Sequence, residues 1–353
     1  MKRKFPLSSS RLAGALLLQL ALVVVFSSAG LAQTQKKDKK KKVMPTGTPV
    51  LWRGHGDIPK LDLTYGSGSA AMAPVAPFTF IREEKQGASP KFRVKDAQGT
   101  TWTVKLGVEA QAETVATRIV WAMGYYTEES YYLDRFQVNS LPRLSRGQEF
   151  VESGNIVRGA KFEPKRKGVT RGEYWDWLKN PFLNSRELDG LKVLMVLLAN
   201  YDTRLENNHI LYQKDETTGQ MQARYVVTDI GATLGRVGGL GGKRVKNSLE
   251  DFKDTKFIVA IQNGVVEFDY STKPKGAGKF ASLFSPGYGK SQANKEKAMR
   301  HIPVANAKWM GGLLSQLTED QLNDIFRAAN YDEATRKGFV KVLRERIGRL
   351  ADL

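Results

Sequence analysis

Lys105 sits inside an apolar strand pattern, Thr101-Trp102-Thr103-Val104-Lys105-Leu106, where a cation is out of place. Asp202 and Asn207 follow directly on a long apolar run, and Asp229 ends a second one just before Gly231. A carboxylate in such a setting is costly unless it is paired or bound to metal. Phosphoryl transfer from ATP needs groups of these kinds: a cation for the phosphates, a carboxylate to orient and deprotonate an acceptor hydroxyl, and oxygen ligands for Mg²⁺. Each residue alone has a plainer reading. Asp and Asn after a helix cap turns by bonding nearby backbone, and a strand lysine can extend its ammonium to solvent. Those readings do not account for the order of the residues along the chain.

The run Asp202-Thr203-Arg204-Leu205-Glu206-Asn207 has the D-x-[KR]-x-x-N spacing of a kinase catalytic loop. Asp229-Ile230-Gly231 resembles the D-F-G metal motif, Lys105 resembles the strand lysine that meets the nucleotide, and Gly87-Ala88-Ser89-Pro90-Lys91 is similar to the phosphate-loop turn of HipA-type kinases. Over roughly residues 78–235 the chain thus resembles the atypical branch of the protein-kinase-like fold, which holds the HipA-type and phosphoinositide kinases. The resemblance implies ATP and Mg²⁺ bound between two lobes and γ-phosphoryl transfer to a hydroxyl acceptor. It makes Asp202 the acceptor-orienting base, Arg204 a γ-phosphate contact, Asn207 and Asp229 metal ligands, and Lys105 the α/β-phosphate cation. The backbone of Gly87, Ala88 and Ser89 would cradle phosphate oxygens.

Some features depart from the pattern. Asn200-Tyr201 stands where His-Arg would precede the loop aspartate, and no G-x-G-x-x-G is present. The lysine's partner comes from the next helix, where Glu109 and Glu113 lie one turn apart. Glu113 is the choice, because its register with Ala116 and Val120 points it inward, although only eight residues separate it from Lys105. Asn208 competes with Asn207 as the metal ligand. An alternative function for the same motifs is a catalytically silent, kinase-derived binding or envelope scaffold.

The elements that must position these residues can be read from periodicity. Phe78–Ile81, Lys91–Val94 and Thr101–Leu106 are strand-like and separated by turn clusters, which predicts an antiparallel meander. A helix follows over Val108–Met123, then strand pieces at 131–133 with 136–138 and at 155–157 with 160–162. Arg186–Asn200 is apolar on nearly every side and reads as a buried helix. Strands at 209–212 and 223–227 come next, then Gly231–Gly242, whose six glycines suggest a mobile loop. Thr318-Glu319-Asp320-Gln321 is a capping-box sequence, and Phe339, Val340, Leu343 and Ile347 line a last helix. The fold class expected is α+β and two-lobed: a β-rich lobe with one helix over 51–165, and a mostly helical lobe over 166–353.

The chain of 353 residues carries a formal charge of +19 and no cysteine, so neither disulfides nor thiolate metal sites hold it. Residues 1–32 have the basic start (Lys2, Arg3, Lys4, Arg11), the apolar run Leu12–Phe26 and the small residues of a secretory leader cleaved after Ala32. The run falls short of the ~20 residues that span a bilayer, which favours cleavage over its rival, a retained membrane anchor. The expectation is a secreted or periplasmic bacterial protein. Removing the four basic charges of the leader lowers +19 to +15, of which +5 lies in Lys36–Lys42. Residues 33–50 read as a disordered tether, favoured as a plain solvated spacer, with attachment to an anionic membrane or wall surface as the alternative. With the charge concentrated there and the chain exported, nucleic acid is not the expected partner.

The aromatic run Tyr174-Trp175-Asp176-Trp177 either stacks on sugar rings or bases or, as its place before Pro181-Phe182 favours, packs between helices. Lys161, Lys165, Arg166, Lys167 and Arg171 form a basic patch at the lobe junction, either meeting an anionic substrate or lying in a solvated loop. His55, His209 and His301 are too scattered for a triad or a zinc site.

Overall fold

The structure, a computed structural model, describes residues 44–237, 244–272 and 293–353. The expected leader, the Ala32 cleavage site, the Lys36–Lys42 run and residues 238–242 of the glycine-rich segment lie outside the described residues. What is described is α+β, with a β-rich N-terminal lobe and a mainly helical C-terminal lobe.

After β1 (Thr48–Val50), the meander expected from the sequence is present as β2 (Phe78–Glu84), β3 (Lys91–Lys95) and β4 (Thr101–Leu106). α1 (Glu109–Ala122) follows β4 through a turn at Gly107, whose φ of 93° suits glycine. β5 (Tyr131–Asn139) runs parallel to β2, and β6 (Val151–Glu152) leads into β7 (Ile156–Pro164). β7 pairs with β5 along one edge and with β4 along the other, so β4-β3-β2-β5-β7 closes on itself. The two strand pieces expected on either side of residue 135 form one strand, and so do those flanking residue 159.

Alternation along β4 sends Trp102, Val104 and Leu106 inward, where they pack with Phe78, Phe92, Phe136 and Phe162 into an aromatic-rich core. Lys105 points to the outer face. It is nonetheless only 4% exposed, because α1 lies across it.

The C-terminal lobe contains β8 (Thr170–Tyr174), α2 (Arg186–Leu197), β9 (Asn208–Lys214) and β10 (Met221–Val227). Two-residue strands β11 (Arg236–Val237) and β12 (Arg244–Val245) pair with each other and precede α3 (Leu249–Lys253). β13 (Ile258–Gln262), β14 (Val265–Phe268) and β15 (Ile302–Pro303) form a small sheet. α4 (Val304–Leu314), α5 (Glu319–Arg327) and α6 (Glu333–Ala351) end the chain. α2 is buried along both faces, as its sequence requires, and its Ser185 cap accepts from the Leu188 N–H. The capping box at Thr318 is formed, with both reciprocal bonds present.

The tether does not extend through residue 50 as a disordered segment. Thr48–Val50 is β1 and lies parallel to β10, and Leu51, Ile58 and Leu63 enter the larger core. Backbone bonding to β10 supplies the order that the segment's small apolar area could not. α1 likewise belongs to the larger core through Val115, Ala116, Ile119 and Val120, while its other side covers the barrel.

Candidate functional site

The antiparallel register of β3, β4 and β7 places Lys91, Lys105 and Lys161 side by side on the outer face of the barrel. Like charges opposite one another on a sheet repel. α1 supplies the compensation. Glu113, 2% exposed, reaches Lys105 Nζ with one carboxylate oxygen and Lys161 Nζ with the other, each at 2.7 Å. Glu109 is 2.7 Å from the same Lys105 ammonium and also pairs with Lys246. Both candidate glutamates therefore hold Lys105, and the tight connection between strand and helix is what allows it.

Asp229 completes the set, with its Oδ1 2.5 Å from Lys105 Nζ. Its φ is 49°, a left-handed conformation that Asp tolerates better than most residues. Asp229 Oδ2 forms no hydrogen bond to a described residue and the side chain is 39% exposed, so the carboxylate is partly open to solvent. Gly231 is required by close approach: a Cβ there would lie 2.8 Å from Glu109 Cβ and 3.1 Å from Glu113 Oε2.

These contacts set the protonation states. Burial alone would lower the Lys105 pKa, but Glu113, Asp229 and Glu109 outweigh it and raise the pKa well above the usual lysine range. Burial would raise that of Glu109, yet Lys105, Lys246 and Ser89 hold it at about 2. Asp229 is likewise held below the carboxylate range, where Lys105 prevails over burial.

The β2–β3 turn hangs over this cluster. Ser89 Oγ donates to Glu109 Oε2 at 2.6 Å, and Arg146 fixes the Gly87 carbonyl at 2.7 Å. The N–H groups of Gly87, Ala88 and Ser89 bond to no described residue. The ammonium of Lys91 is 3.5 Å from the position a Gly87 Cβ would take. Unsatisfied amides beside a cation form a concavity suited to an anion.

The second half of the site is the loop after α2. Asp202 is held by Arg204 at 2.8 Å and by Lys295 at 3.1 Å, and Asn207 Nδ2 donates to the Asp202 carbonyl at 2.7 Å. Lys295 comes from the short helical stretch 293–298 and is 8% exposed; burial lowers its pKa against the pull of Asp202. The Thr228 N–H and hydroxyl both donate to the Asn207 carbonyl, and Leu234 N–H donates to Leu198 O. Backbone bonds thus fasten the Asp202 loop to the segment bearing Asp229. Asn207 is the asparagine tied to Asp202, whereas the amide of Asn208 bonds the Trp175 carbonyl.

The basic patch is dispersed by the fold. Lys161 is buried at the site rather than solvated in a loop, Arg166 pairs with Glu129, and Arg171 pairs with Glu128. Residues 231–237 of the glycine-rich segment are placed against the site, with Ala232, Thr233 and Leu234 buried. Trp175 and Trp177 pack on each other at 4.8 Å, while Tyr174 stays half-exposed beside His209. Lys161, Lys91 as a cation beneath the turn, and Lys295 are the additions that sequence reasoning missed. For the first two the signal was alternation, which puts Lys91, Lys105 and Lys161 on one face of their strands; Lys295 had none.

No family model matches the chain, and no curated protein matches it. Among solved structures it is similar to the Helicobacter pylori proinflammatory kinase CtkA, at 12% identity over 79% of this chain and 98% of that one, with a TM-score of 0.43. It is also similar to the Golgi casein kinase, at 7% identity over 79% and 73% of the two chains, TM-score 0.37. The same kinase with Mn/ADP bound gives 9% identity over 78% and 73%, TM-score 0.30.

Proposed function

We propose that this chain is a phosphotransferase that binds ATP with a divalent cation between its lobes and passes the γ-phosphoryl group to a hydroxyl. The observation that carries the proposal is the joining of Lys105 to Glu113 and Asp229 within one buried cluster, with the Asp202 loop fastened beside it by the Thr228–Asn207 bonds. Lys105 and Lys91 face the α- and β-phosphates, the amides of Gly87, Ala88 and Ser89 cradle their oxygens, and Arg204 meets the γ-phosphate. Glu113 keeps Lys105 ionised and aimed.

Asp229 and Asn207 would hold the divalent cation. The donor set fits: among the described residues, one oxygen of Asp229 has no hydrogen bond, and Asn207 Oδ1 accepts only a long bond of 3.3 Å from Arg204. Bound there, Mg²⁺ would neutralise charge developing on the phosphates. Asp202 accepts the acceptor's hydroxyl proton as that oxygen bonds to the γ-phosphorus. The bond to the β–γ bridging oxygen breaks, and ADP leaves with the electron pair.

Thermal-shift titration with ATP and Mg²⁺ tests nucleotide binding, since a ligand at 100 times its Kd stabilises by ~2.7 kcal/mol. No shift in the wild type would overturn the proposal. A shift with no phosphate released or transferred would support the scaffold alternative, which the saturation of Lys105 by three carboxylates favours. Action outside the cytoplasm remains part of the proposal, tested by locating the processed chain in cell fractions.

A further inference from the structure

A cavity of about 310 Å³ opens beside the Asp202 loop, between the segment that follows β8 and the helical stretch 293–298. Asp176, Trp177, Arg204, Glu206, Asn208 and Lys295 are among the residues lining it. Arg204 and Lys295 are the two residues that hold the oxygens of Asp202, so the cavity wall is one side chain away from the proposed base. Its volume is at the small end of ligand sites, enough for a single ring.

The lining selects a chemistry. Arg204 and Lys295 are paired with Asp202, whereas Asp176 and Glu206 form no ion pair among the described residues. An anion would meet those two carboxylates, and a cation would meet the guanidinium and the ammonium. Hydroxyls donate to the first pair and accept from the second. Two residues of the wall, Trp177 and Asn208, also bury a polar atom, Nε1 and Oδ1, that has no hydrogen-bond partner among the described residues, which is uncommon.

We infer that this cavity is the acceptor subsite, and that it takes a neutral, polyhydroxylated molecule of one ring. The inference rests on the phosphotransferase proposal for its catalytic part. One hydroxyl of the ring presents its oxygen to the γ-phosphorus of ATP and its proton to Asp202; the products are the phosphorylated ring and ADP.

The test titrates the full chain, without nucleotide, with a panel of methyl glycosides and myo-inositol, following tryptophan fluorescence and heat. The expected result is saturable binding by at least one of them that weakens about ten-fold in Glu206→Ala and in Asp176→Ala, both exposed positions. The same compound should then become phosphorylated when ATP and Mg²⁺ are added. Overturning results are no binding by any of the panel, binding that neither substitution weakens, or a serine-containing peptide that occupies the cavity in their place. Glycoside binding in a protein that gives no ATP shift would sink the phosphotransferase proposal and leave the ligand class standing; an ATP shift with no glycoside binding would do the reverse.

Discussion

The two halves of the site are built differently. On the barrel side, Lys105, Lys161 and Glu113 are almost entirely buried; Glu113 bridges the two ammoniums, Glu109 and Asp229 complete the partners of Lys105, and Glu163 pairs with Lys161. On the loop side, Asp202 is 22% exposed and its partner Arg204 is 44% exposed, while its other ion-pair partner, Lys295, is 8% exposed. A buried charge is tolerable only when fully compensated, whereas a wet one can exchange partners at little cost. The barrel half is therefore the part whose loss the fold should feel most, and the loop half the part whose ion pairs it should better tolerate losing.

In order of stability lost, Glu113→Ala comes first. It strands two buried ammoniums at once, and breaking a buried pair in this way costs about 3–5 kcal/mol. Urea unfolding should show that loss, with Glu113→Gln milder because it keeps an oxygen for one lysine. A loss below about 1 kcal/mol would mean that the two halves do not differ as described. Gly231→Ala comes next at about 1–3 kcal/mol, since the added methyl would press on Glu109 and Glu113. Its measurement separates close packing from charge, because it adds a clash without removing an ion.

Acid should act on the barrel half as well. Glu109 is held at about 2 against a usual value of 4.5. A depressed carboxylate contributes stability that is fully present above its unfolded value and is lost as pH falls through its folded one. The contribution should thus disappear between about pH 4.5 and 2. Glu109→Gln should flatten the pH–stability curve in that window, and an unchanged curve would count against the Lys105 cluster as drawn.

Local signals made the frame legible. β-branched and aromatic residues between turn clusters gave β4, the helical period gave α1, a run apolar on nearly every side gave α2, and the Thr318–Gln321 sequence gave a cap that is formed in full. Lys105 stood out because it interrupts an apolar strand. Lys161 interrupts one too, in Ala160-Lys161-Phe162, but the run of cations after it suggested a loop. Its place opposite Lys105 depends on the pairing of β4 with β7, a non-local register that neither strand specifies alone. Lys295 is further still from legibility: it lies 93 residues beyond Asp202, in a stretch whose pattern does not mark it. The order of β1 beside β10 was hidden for the same reason, since backbone pairing leaves no hydrophobic signature.

The smallest loss of stability belongs to Asp202→Asn, and it carries the comparison furthest. Asparagine keeps an oxygen that can accept from Lys295 or Arg204, and Arg204 is free to turn to water. The Arg204 pair is of the exposed kind that contributes about 0–1 kcal/mol, so the loss on unfolding should be well below that of Glu113→Ala. Transfer to a hydroxyl should fall far more, by about 10²–10⁴-fold, because the amide cannot take the proton as the oxygen attacks phosphorus. ATP binding should persist, which distinguishes a lost base from a lost pocket. Should Asp202→Asn instead unfold the chain as readily as Glu113→Ala, the loop would be structural in the same sense as the barrel, and Asp202 would have no special claim to the chemistry.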